Sequence, residues 1–406
     1  MRIAFFAESY LPDPNGVATS VAATAAELER QGHTVYIIAP KHPGYKDKKN
    51  VIRLYSVKLY EDLDMRTALY LPEPNLIKVL RMKKLDIIHG QDGGVMSLLG
   101  WEVARIKNLP FIGTYHTIVH EYTHYLLKGK VFRPGIVKAV TRIFGNMCEQ
   151  LIAPTERAKQ ELRKCGVKTP ITILPNGIDR TRFLNVKKGY LHKRLKIAKD
   201  TKILLYVGRL GREKSVEFLI KSFQYVIKKE PNTTLVLIGG GPDKDTLINL
   251  AKELNLEKKI YLPGFIEQKF MPQVYSDSDI FLFSSKTETQ GMAPIEAMTS
   301  GLPVVAVQDK TLKELIEDGK NGYLTSRNNE GFAKKILFLL KDEKIREEMG
   351  KNAQISTERY SLVETTKQLV DIYTNFLKIH KKKKVSPFRK TVSGAKRILK
   401  LLSDPI

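Results

Sequence analysis

Short apolar runs alternate with helical stretches along most of the chain. The runs at 3–7 and 35–39 have the composition of buried strands, and a helix predicted at 17–31 lies between them. The same order returns later, where a strand at 203–207 precedes a helix at 216–229. Strands that alternate with helices form parallel sheets covered on both faces. We therefore predict an α/β fold.

The chain of 406 residues is too long for one ordinary core, so we predict two such domains. The first spans 1–180, the second spans 181–360, and a basic tail occupies 380–406. Ligands of this architecture bind beyond the carboxyl ends of the strands. Two Rossmann-like domains are therefore expected to face a shared interdomain cleft.

The charge balance restricts the partners of the chain. It carries 68 basic and 43 acidic residues, for a net charge of +25. Such an excess predicts nucleic acid, an acidic membrane surface or a phosphorylated small molecule as partner. Its two cysteines form neither a disulfide framework nor a metal-ligand pattern, which favours a reducing compartment. No apolar run reaches the roughly 18 residues that a spanning helix needs, so we expect no transmembrane helix.

Two glutamates, Glu288 and Glu296, lie eight positions apart between two predicted strands. The first falls in the loop after a strand, and the second lies about one turn into a helix predicted at 292–300. Backbone amides at Gly291 and Met292 begin that helix and attract electron-rich groups. Because a carboxylate accepts two hydroxyl hydrogen bonds, the pair suits a sugar or a ribose. The alternative is two solvated glutamates on a surface turn.

Further candidates follow the strands at 203–207 and 235–238. Arg209 and Lys214 offer a guanidinium and an ammonium near a helix start, which suits a diphosphate. The triple glycine at 239–241 lets a backbone approach a planar ligand, but it is not the dinucleotide fingerprint of nicotinamide enzymes. An exposed basic loop and an ordinary glycine turn are the alternatives.

In the first half of the chain, Gly16 and His116 each follow a predicted strand. Gly16 would let the backbone approach a phosphate or an acceptor, and a plain turn is the alternative. For His116, a structural role is the alternative to a catalytic one. The sequence contains no GxSxG, HExxH or P-loop motif, so the hydrolase, zinc-enzyme and ATPase classes lack their residues.

Six ordered motifs carry a family resemblance. They are NG at 15–16, His116 after its strand, PNGID at 175–179, GRLGREK at 208–214, GGGP at 239–242 and E-x7-E at 288–296. Over roughly residues 1–375 the chain resembles the retaining, nucleotide-sugar-dependent glycosyltransferases of family 4. The resemblance implies the GT-B fold, in which a helix expected at 361–379 crosses back onto the first domain.

The resemblance also implies roles for single residues. Arg209 and Lys214 would hold the donor diphosphate, Glu296 the ribose hydroxyls and Glu288 the hydroxyls of the transferred sugar. His116 would approach the sugar and phosphate from the other domain, and would be catalytic together with Arg209, Lys214 and Glu288. Members of the family need no bound metal, so neither a metal nor a bound cofactor is expected. The remaining donor contacts would be the amides of Gly291 and Met292, Gly240 and Phe265 beside the base, and Gly16 near the phosphates.

The excess charge is concentrated in the tail. Residues 378–406 carry ten Lys or Arg and one acid, Asp404. At helical spacing the apolar side chains of 388–402 fall on one arc and the basic ones on the other, a pattern that an anionic membrane attracts. A disordered, solvated tail is the alternative. The predicted membrane contacts, which include three from an earlier segment, are Lys128, Lys130, Arg133, Lys381, Lys382, Arg389, Lys396 and Arg397.

The segment 120–147 favours the same partner. Apolar residues at positions 136, 137, 140, 143 and 144 share a helix face, with Lys138 and Arg142 opposite. Core packing is the alternative for part of this stripe. No nucleic-acid module and no basic–aromatic interleaving occur, so nucleic acid is not expected as a partner.

The opening AESYLPDPNGVATSV and the segment YHTIVHEYTHYLLKG at 115–129 are similar to prokaryotic diacylglycerol 3-glucosyltransferases, which are peripheral membrane enzymes of the family. The segment HGQDGG at 89–94 lacks the aromatic or aliphatic residues of that subgroup, and its aspartate is the candidate contact for a polar head group instead. The residues expected to line the acceptor entrance are Asp92, His120, Glu121, Tyr122, His124 and Tyr125.

These expectations combine into one predicted reaction, the retaining transfer of glucose from UDP-glucose to 1,2-diacylglycerol. The protein is expected in the cytoplasm, peripheral on the inner face of the cell membrane. Three alternatives stay open: a soluble family member acting on a sugar or polysaccharide, a phosphatidylinositol or glycolipid hexosyltransferase, and a nucleic-acid-binding protein.

Overall fold

The chain forms two compact units. The first contains Met1–Gly177 and the segment from Leu362 onward, and the second contains Ile178–Ser361. These divisions lie beside the predicted domain bounds at 180/181 and 360/361. The structure, a computed structural model, describes residues 1–13, 15–58, 66–70, 73–82, 84–118, 134–285 and 287–382.

The first unit is built on parallel strands with helices between them. Its strands are β1 Arg2–Ala7, β2 Thr34–Pro40, β3 Val51–Leu54, β4 Ser56–Lys58, β5 Arg66–Ala68, β6 Ile87–Gln91, β7 Phe111–Thr114, β8 Gln150–Ala153 and β9 Ile171–Ile173. Its first helices are α1 Gly16–Arg30, α2 Pro74–Arg81, α3 Val95–Lys107, α4 Pro134–Met147 and α5 Glu156–Lys164. Seven strands form a parallel sheet in the order β3-β2-β1-β6-β7-β8-β9, and β4 pairs antiparallel with β5.

Side chains of β1 alternate between the two faces of this sheet. Ile3 and Phe5 pack with the buried Leu28 of α1, whereas Phe6 packs with Val103 of α3 on the other face. The alternation follows from the two-residue period of a strand, and burial on both faces explains why β1 reads as a continuous apolar run. The side-chain oxygen of Asn15 accepts a hydrogen bond from the backbone N–H of Ala18, which caps the start of α1.

The second unit repeats this construction. Its strands are β10 Lys202–Val207, β11 Thr233–Ile238, β12 Ile260–Gly264, β13 Ile280–Phe283, β14 Val304–Val307 and β15 Gly322–Thr325. Its helices are α6 Tyr190–Leu195, α7 Val216–Ile227, α8 Lys244–Glu253, α9 Met271–Ser276, α10 Met292–Thr299, α11 Leu312–Leu315, α12 Asn329–Lys341 and α13 Glu343–Ser356. The six strands are parallel, in the order β12-β11-β10-β13-β14-β15.

The last described helix, α14 Leu362–Lys382, belongs to the first unit. Its Leu369 and Tyr373 are buried in the same core as Ile3 and Phe5. The tyrosine hydroxyl also lies 2.6 Å from Nδ1 of the buried His89 in β6. The bounds of α14 agree with the helix predicted at 361–379 to within three residues, and its buried face packs against the first sheet.

The α/β prediction is confirmed, and most predicted strands agree with the structure to within two residues. Five further strands, β3, β4, β5, β9 and β15, are not revealed by the sequence pattern. Each has only three or four residues, too short for a periodic signal, and Ile173 of β9 is 40% exposed.

Candidate functional site

The loops after β10 and β11 pack backbone against backbone. Gly239 has a φ of 136°, and a Cβ on it would lie 1.9 Å from the carbonyl oxygen of Gly208. A Cβ on Gly241, at φ 158°, would lie 2.3 Å from the carbonyl oxygen of Leu210. Only glycine permits so close an approach. Arg209, which is half-buried, lies in the first of these two loops. Its backbone carbonyl oxygen accepts a hydrogen bond from the hydroxyl of Tyr206 at 2.9 Å.

Lys214 and Glu288, which the sequence predicted for one site, form an ion pair. The ammonium lies 2.5 Å from a carboxylate oxygen, and the two side chains are only 15% and 11% exposed. Lys214 ends a short turn before α7, while Glu288 follows β13. Low exposure strengthens the attraction between the two charges, because less water screens them.

Two hydroxyls fix the loops that carry this pair. Ser284 Oγ donates to the carbonyl oxygen of Lys214 at 2.8 Å and contacts that of Ser215 at 2.9 Å. Thr311 Oγ1 donates to the carbonyl oxygen of Glu288 at 2.7 Å. The side chains of the ion pair therefore extend from backbone that is itself held in place.

The helix α10 begins beside Glu288 and carries Glu296. Gly291 adopts a φ of 82° immediately before the helix. As at every helix start, the first amides of α10 have no intrahelical acceptors. Tyr275 donates its hydroxyl to Glu296 at 2.7 Å, and Gln268 Nε2 lies 3.5 Å from the other carboxylate oxygen. Burial raises the pKa of Glu296. The two hydrogen bonds and the nearby Arg182 lower it by less, so the pKa stays above its ordinary value.

Phe265 lies over the glycine turn after β11. Its side chain is 69% exposed, although aromatic side chains are usually buried. A Cβ on Gly240 would lie 2.5 Å from the ring, so the ring rests directly on the glycine. The pair offers an exposed aromatic edge to a planar ligand.

In the first unit, His116 follows β7 and is held at both its backbone and its ring. Its backbone N–H donates to Asp92 Oδ1 at 2.6 Å, and its Nε2 lies 2.7 Å from Gln91 Oε1. A side-chain hydrogen bond also joins it to Asn176. Burial lowers the pKa of His116 to about 4, so the ring is neutral at physiological pH.

Asp92 organises the segment after β7. Besides the N–H of His116, its carboxylate accepts the N–H of Thr117 at 3.2 Å and lies 3.4 Å from the hydroxyl of Thr117. Burial raises the pKa of Asp92 to about 7. Its carboxylate is thus engaged by the protein itself, and its predicted contact with a lipid head group stays a prediction.

Gly16 is the first residue of α1, where a Cβ would meet nothing within 4 Å. Glycine is therefore not required there by packing. The predicted approach of Gly16 to a phosphate stays a prediction.

The apolar stripe of α4 divides into two parts. Val137 and Phe144 are buried in the core of the first unit, while Ile136 and Val140 are each 47% exposed. Core packing thus accounts for only part of the stripe. Within the described residues, no helix is long and apolar enough to cross a membrane.

Several predicted contacts cannot be placed. His120, Glu121, Tyr122, His124, Tyr125, Lys128, Lys130, Arg133, Arg389, Lys396 and Arg397 lie outside the described residues. Lys381 and Lys382 end α14, and their side chains lie outside the description as well.

Sequence reasoning missed three partners of the predicted residues: Gln91, Asn176 and Tyr275. Gln91 is the polar residue that ends β6, at the edge where ligands of parallel sheets bind. Asn176 lies in the PNGID motif. Tyr275 sits in α9 without a sequence signal of its own, because its proximity to Glu296 depends on tertiary packing.

Two family models match the chain. The model described as Glycosyltransferase Family 4 covers residues 14–182, and the model described as Glycosyl transferases group 1 covers residues 188–356. Together they account for both compact units.

Two bacterial relatives share the name alpha-monoglucosyldiacylglycerol synthase. The protein of Acholeplasma laidlawii is 30% identical over 395 residues, which are 94% of this chain and 99% of the relative. The protein of Streptococcus pneumoniae is 33% identical over 333 residues, which are 80% of this chain and 75% of the relative.

Solved structures share the fold at lower identity. HepE of Anabaena, in complex with UDP and glucose, has a TM-score of 0.73 and 20% identity, and covers 92% of this chain and 100% of its own. The sucrose-phosphate synthase of Thermosynechococcus elongatus has a TM-score of 0.74 and 20% identity, with 93% and 100% covered. At such identity the likeness establishes a common fold.

Asp92 makes a pH-dependent contribution to stability that an Asp92→Asn variant removes. Its pKa rises from an ordinary 3.8 to about 7 in the folded chain, so the folded state binds this proton more tightly than the unfolded state does. The contribution is therefore present at low pH and is lost as pH rises from about 4 to about 7. We expect the variant to gain stability relative to wild type over that interval, by roughly 2–4 kcal/mol in total.

The measurement is urea denaturation from pH 4.5 to 8, followed by fluorescence of Trp101, the single tryptophan. It lies in α3, which starts three residues after Asp92. Glu8 is present in both proteins, and burial, the main cause of its raised pKa, acts in both; the smaller rise caused by the charge of Asp92 is lost in the variant. A difference in unfolding free energy between wild type and Asp92→Asn that stays constant with pH would contradict the raised pKa of Asp92.

Proposed function

As the chain is a glycosyltransferase of family 4 with the GT-B fold, we propose that it transfers glucose from UDP-glucose to 1,2-diacylglycerol, with retention of the anomeric configuration. The observation that carries the donor half is the buried Lys214–Glu288 pair beside the start of α10. Support for the acceptor half comes from the two relatives named alpha-monoglucosyldiacylglycerol synthase, which align with most of this chain.

The proposed diphosphate site needs no metal ion. Arg209, Lys214 and the first amides of α10 supply two positive charges and a helix N-terminus, the groups that stabilise a departing diphosphate. When the diphosphate binds, the ammonium of Lys214 is shared between phosphate and Glu288. The carboxylate of Glu288 is then released in part to accept hydrogen bonds from sugar hydroxyls.

Glu296 and Phe265 would bind the nucleoside. The carboxylate of Glu296 is oriented by Tyr275 and accepts the two ribose hydroxyls. Phe265 and the Gly240 backbone flank the base. These assignments use the one exposed aromatic ring that rests on the glycine turn.

The first unit would supply His116 and the acceptor contacts. We assign His116 to the transferred sugar as a neutral hydrogen-bonding group, because its pKa of about 4 excludes a cationic ring near neutral pH. Gly16 is assigned to the phosphates and Asp92 to the polar end of the acceptor. The 120–125 residues would line the acceptor entrance.

The proposed chemistry is a substitution on one face of the sugar. The free hydroxyl oxygen of diacylglycerol forms a bond to the anomeric carbon on the face from which the diphosphate leaves. The bond from that carbon to the diphosphate oxygen breaks, and the hydroxyl proton passes to the leaving diphosphate. The prefix "alpha" in the name of the two relatives agrees with retention, since the glucose of UDP-glucose is α-linked.

A membrane surface would present the lipid acceptor. The tail 381–406 and the exposed Ile136 and Val140 of α4 are assigned to an anionic bilayer, and the proposed location is the inner face of the cell membrane. The proposed partners do not include nucleic acid.

Radiolabelled UDP-glucose, offered with diacylglycerol in phosphatidylglycerol vesicles, tests the reaction. We expect label in the organic extract, and less label when UDP-galactose replaces UDP-glucose.

Arg209→Ala should lower turnover about a hundredfold or more, because the diphosphate loses its guanidinium. Arg212→Ala, an exposed arginine of the next turn, is the control and should keep near-normal turnover. Label confined to water-soluble product, or normal turnover of Arg209→Ala, would contradict the proposal.

The membrane assignment predicts a salt-dependent affinity for anionic vesicles. Replacing Arg389, Lys390, Lys396 and Arg397 with glutamine keeps the length of the chain but should weaken vesicle binding about a hundredfold or more, since each of the four basic residues near an anionic surface contributes about 1 kcal/mol. Sedimentation with phosphatidylglycerol vesicles measures this, with phosphatidylcholine vesicles as control. Unchanged binding and unchanged lipid activity would favour a soluble family member that acts on a sugar.

A further inference from the structure

Three side chains from two separate stretches of the chain converge on His116. Gln91 ends β6 and places its Oε1 2.7 Å from Nε2 of the ring. Its neighbour Asp92 accepts the backbone N–H of the histidine at 2.6 Å. Asn176 reaches the side chain from the PNGID motif. The ring and the backbone of one residue are thus held independently.

A backbone detail lets consecutive residues reach the same histidine. Side chains of adjacent strand residues normally point to opposite faces. Asp92 instead has a φ of 66°, in the left-handed region, which aspartate tolerates better than most residues. Its N–H donates to the carbonyl oxygen of Thr114 at 2.8 Å, so this turn is tied to the end of β7. Gln91 therefore contacts the ring of His116, while Asp92 accepts the hydrogen bond of its backbone N–H.

The ring lies at a small polar cavity of about 40 Å³ inside the first unit. Ser20 of α1 donates to Asn176 Oδ1 at 3.0 Å and thereby orients the asparagine. Because Gln91 Oε1 lies 2.7 Å from Nε2 and an amide oxygen only accepts, the tautomer protonated at Nε2 is the one that satisfies both groups. A cavity of this size has room for about one or two water molecules. Removing the Gln91 amide would leave the ring N–H without its protein acceptor, and a water molecule, which is free to move, would fix the ring less firmly.

We infer that Gln91 and Asn176 are positioning residues, which hold His116 in a single tautomer and orientation against the transferred sugar. The inference rests on the proposed transfer reaction for its kinetic consequences. Donor affinity is assigned to Arg209, Lys214 and Glu296 in the second unit, so loosening the ring should affect the reacting sugar and not the nucleotide. The expected result is a lower kcat at a nearly constant KM for UDP-glucose.

The test is a double-mutant cycle between Gln91 and His116. Gln91→Met, of similar size but without the amide, should lower kcat about tenfold to a hundredfold and change KM for UDP-glucose less than about threefold. In a His116→Ala background the same change should cost less than about twofold, because its effect passes through the histidine. Gln91→Glu keeps an acceptor for Nε2 and should recover part of the lost turnover. Thr366→Val is the matched control, since Thr366 lines the same cavity and its buried hydroxyl makes no hydrogen bond with any residue that the structure describes.

A second readout needs no substrate. In protein labelled with ¹⁵N-histidine, the resonances of His116 are assigned by their loss in His116→Ala. We expect one neutral tautomer, protonated at Nε2, in wild type and in Thr366→Val, and averaged ring resonances in Gln91→Met. The same tautomer in Gln91→Met, or an equal kinetic cost with and without the histidine, would overturn the inference. If wild type transfers no hexose, the proposed function fails, and the ring resonances alone decide the role of Gln91.

Discussion

Parallel strands place every carboxyl end on one edge of a sheet, and the chemistry of this protein depends on that constraint. In the first sheet, β6 ends at Gln91 and β7 leads into His116. In the second, β10 leads to Arg209 and β13 to Glu288. Within each sheet, residues that are far apart in sequence therefore meet in the loops of one edge.

Gathering polar groups at a partly buried edge has an electrostatic cost. Burial raises the pKa of Asp92 and Glu296 and lowers that of His116, so each charged form is disfavoured. Local partners offset this cost. Backbone amides donate to Asp92, the hydroxyl of Tyr275 donates to Glu296, and the ammonium of Lys214 pairs with Glu288. These partners also fix the orientation of each side chain. A site that is oriented before its ligand arrives loses less entropy on binding.

The sequence allowed the larger part of this arrangement to be predicted. Both sheets follow from continuous apolar runs, whereas the assignment of Glu288 and Lys214 to one site came from the family resemblance; in the structure the two residues follow the neighbouring strands β13 and β10. The support of His116 could not be predicted, because it depends on the left-handed φ of Asp92, which no pattern encodes. The short β9 and the split burial of the α4 stripe depend in the same way on tertiary packing.

The central claim is retaining transfer to diacylglycerol, and the anomeric configuration of the product tests it most directly. The lipid formed from UDP-glucose and diacylglycerol would be purified and its anomeric proton examined by NMR, through the coupling to the neighbouring ring proton. The account predicts an α-linked hexosyl diacylglycerol, in which the linkage oxygen is axial, the anomeric proton is equatorial, and the coupling of that proton to the neighbouring ring proton is small. A β-linked product, or glucose attached to anything other than the free hydroxyl of diacylglycerol, would contradict it.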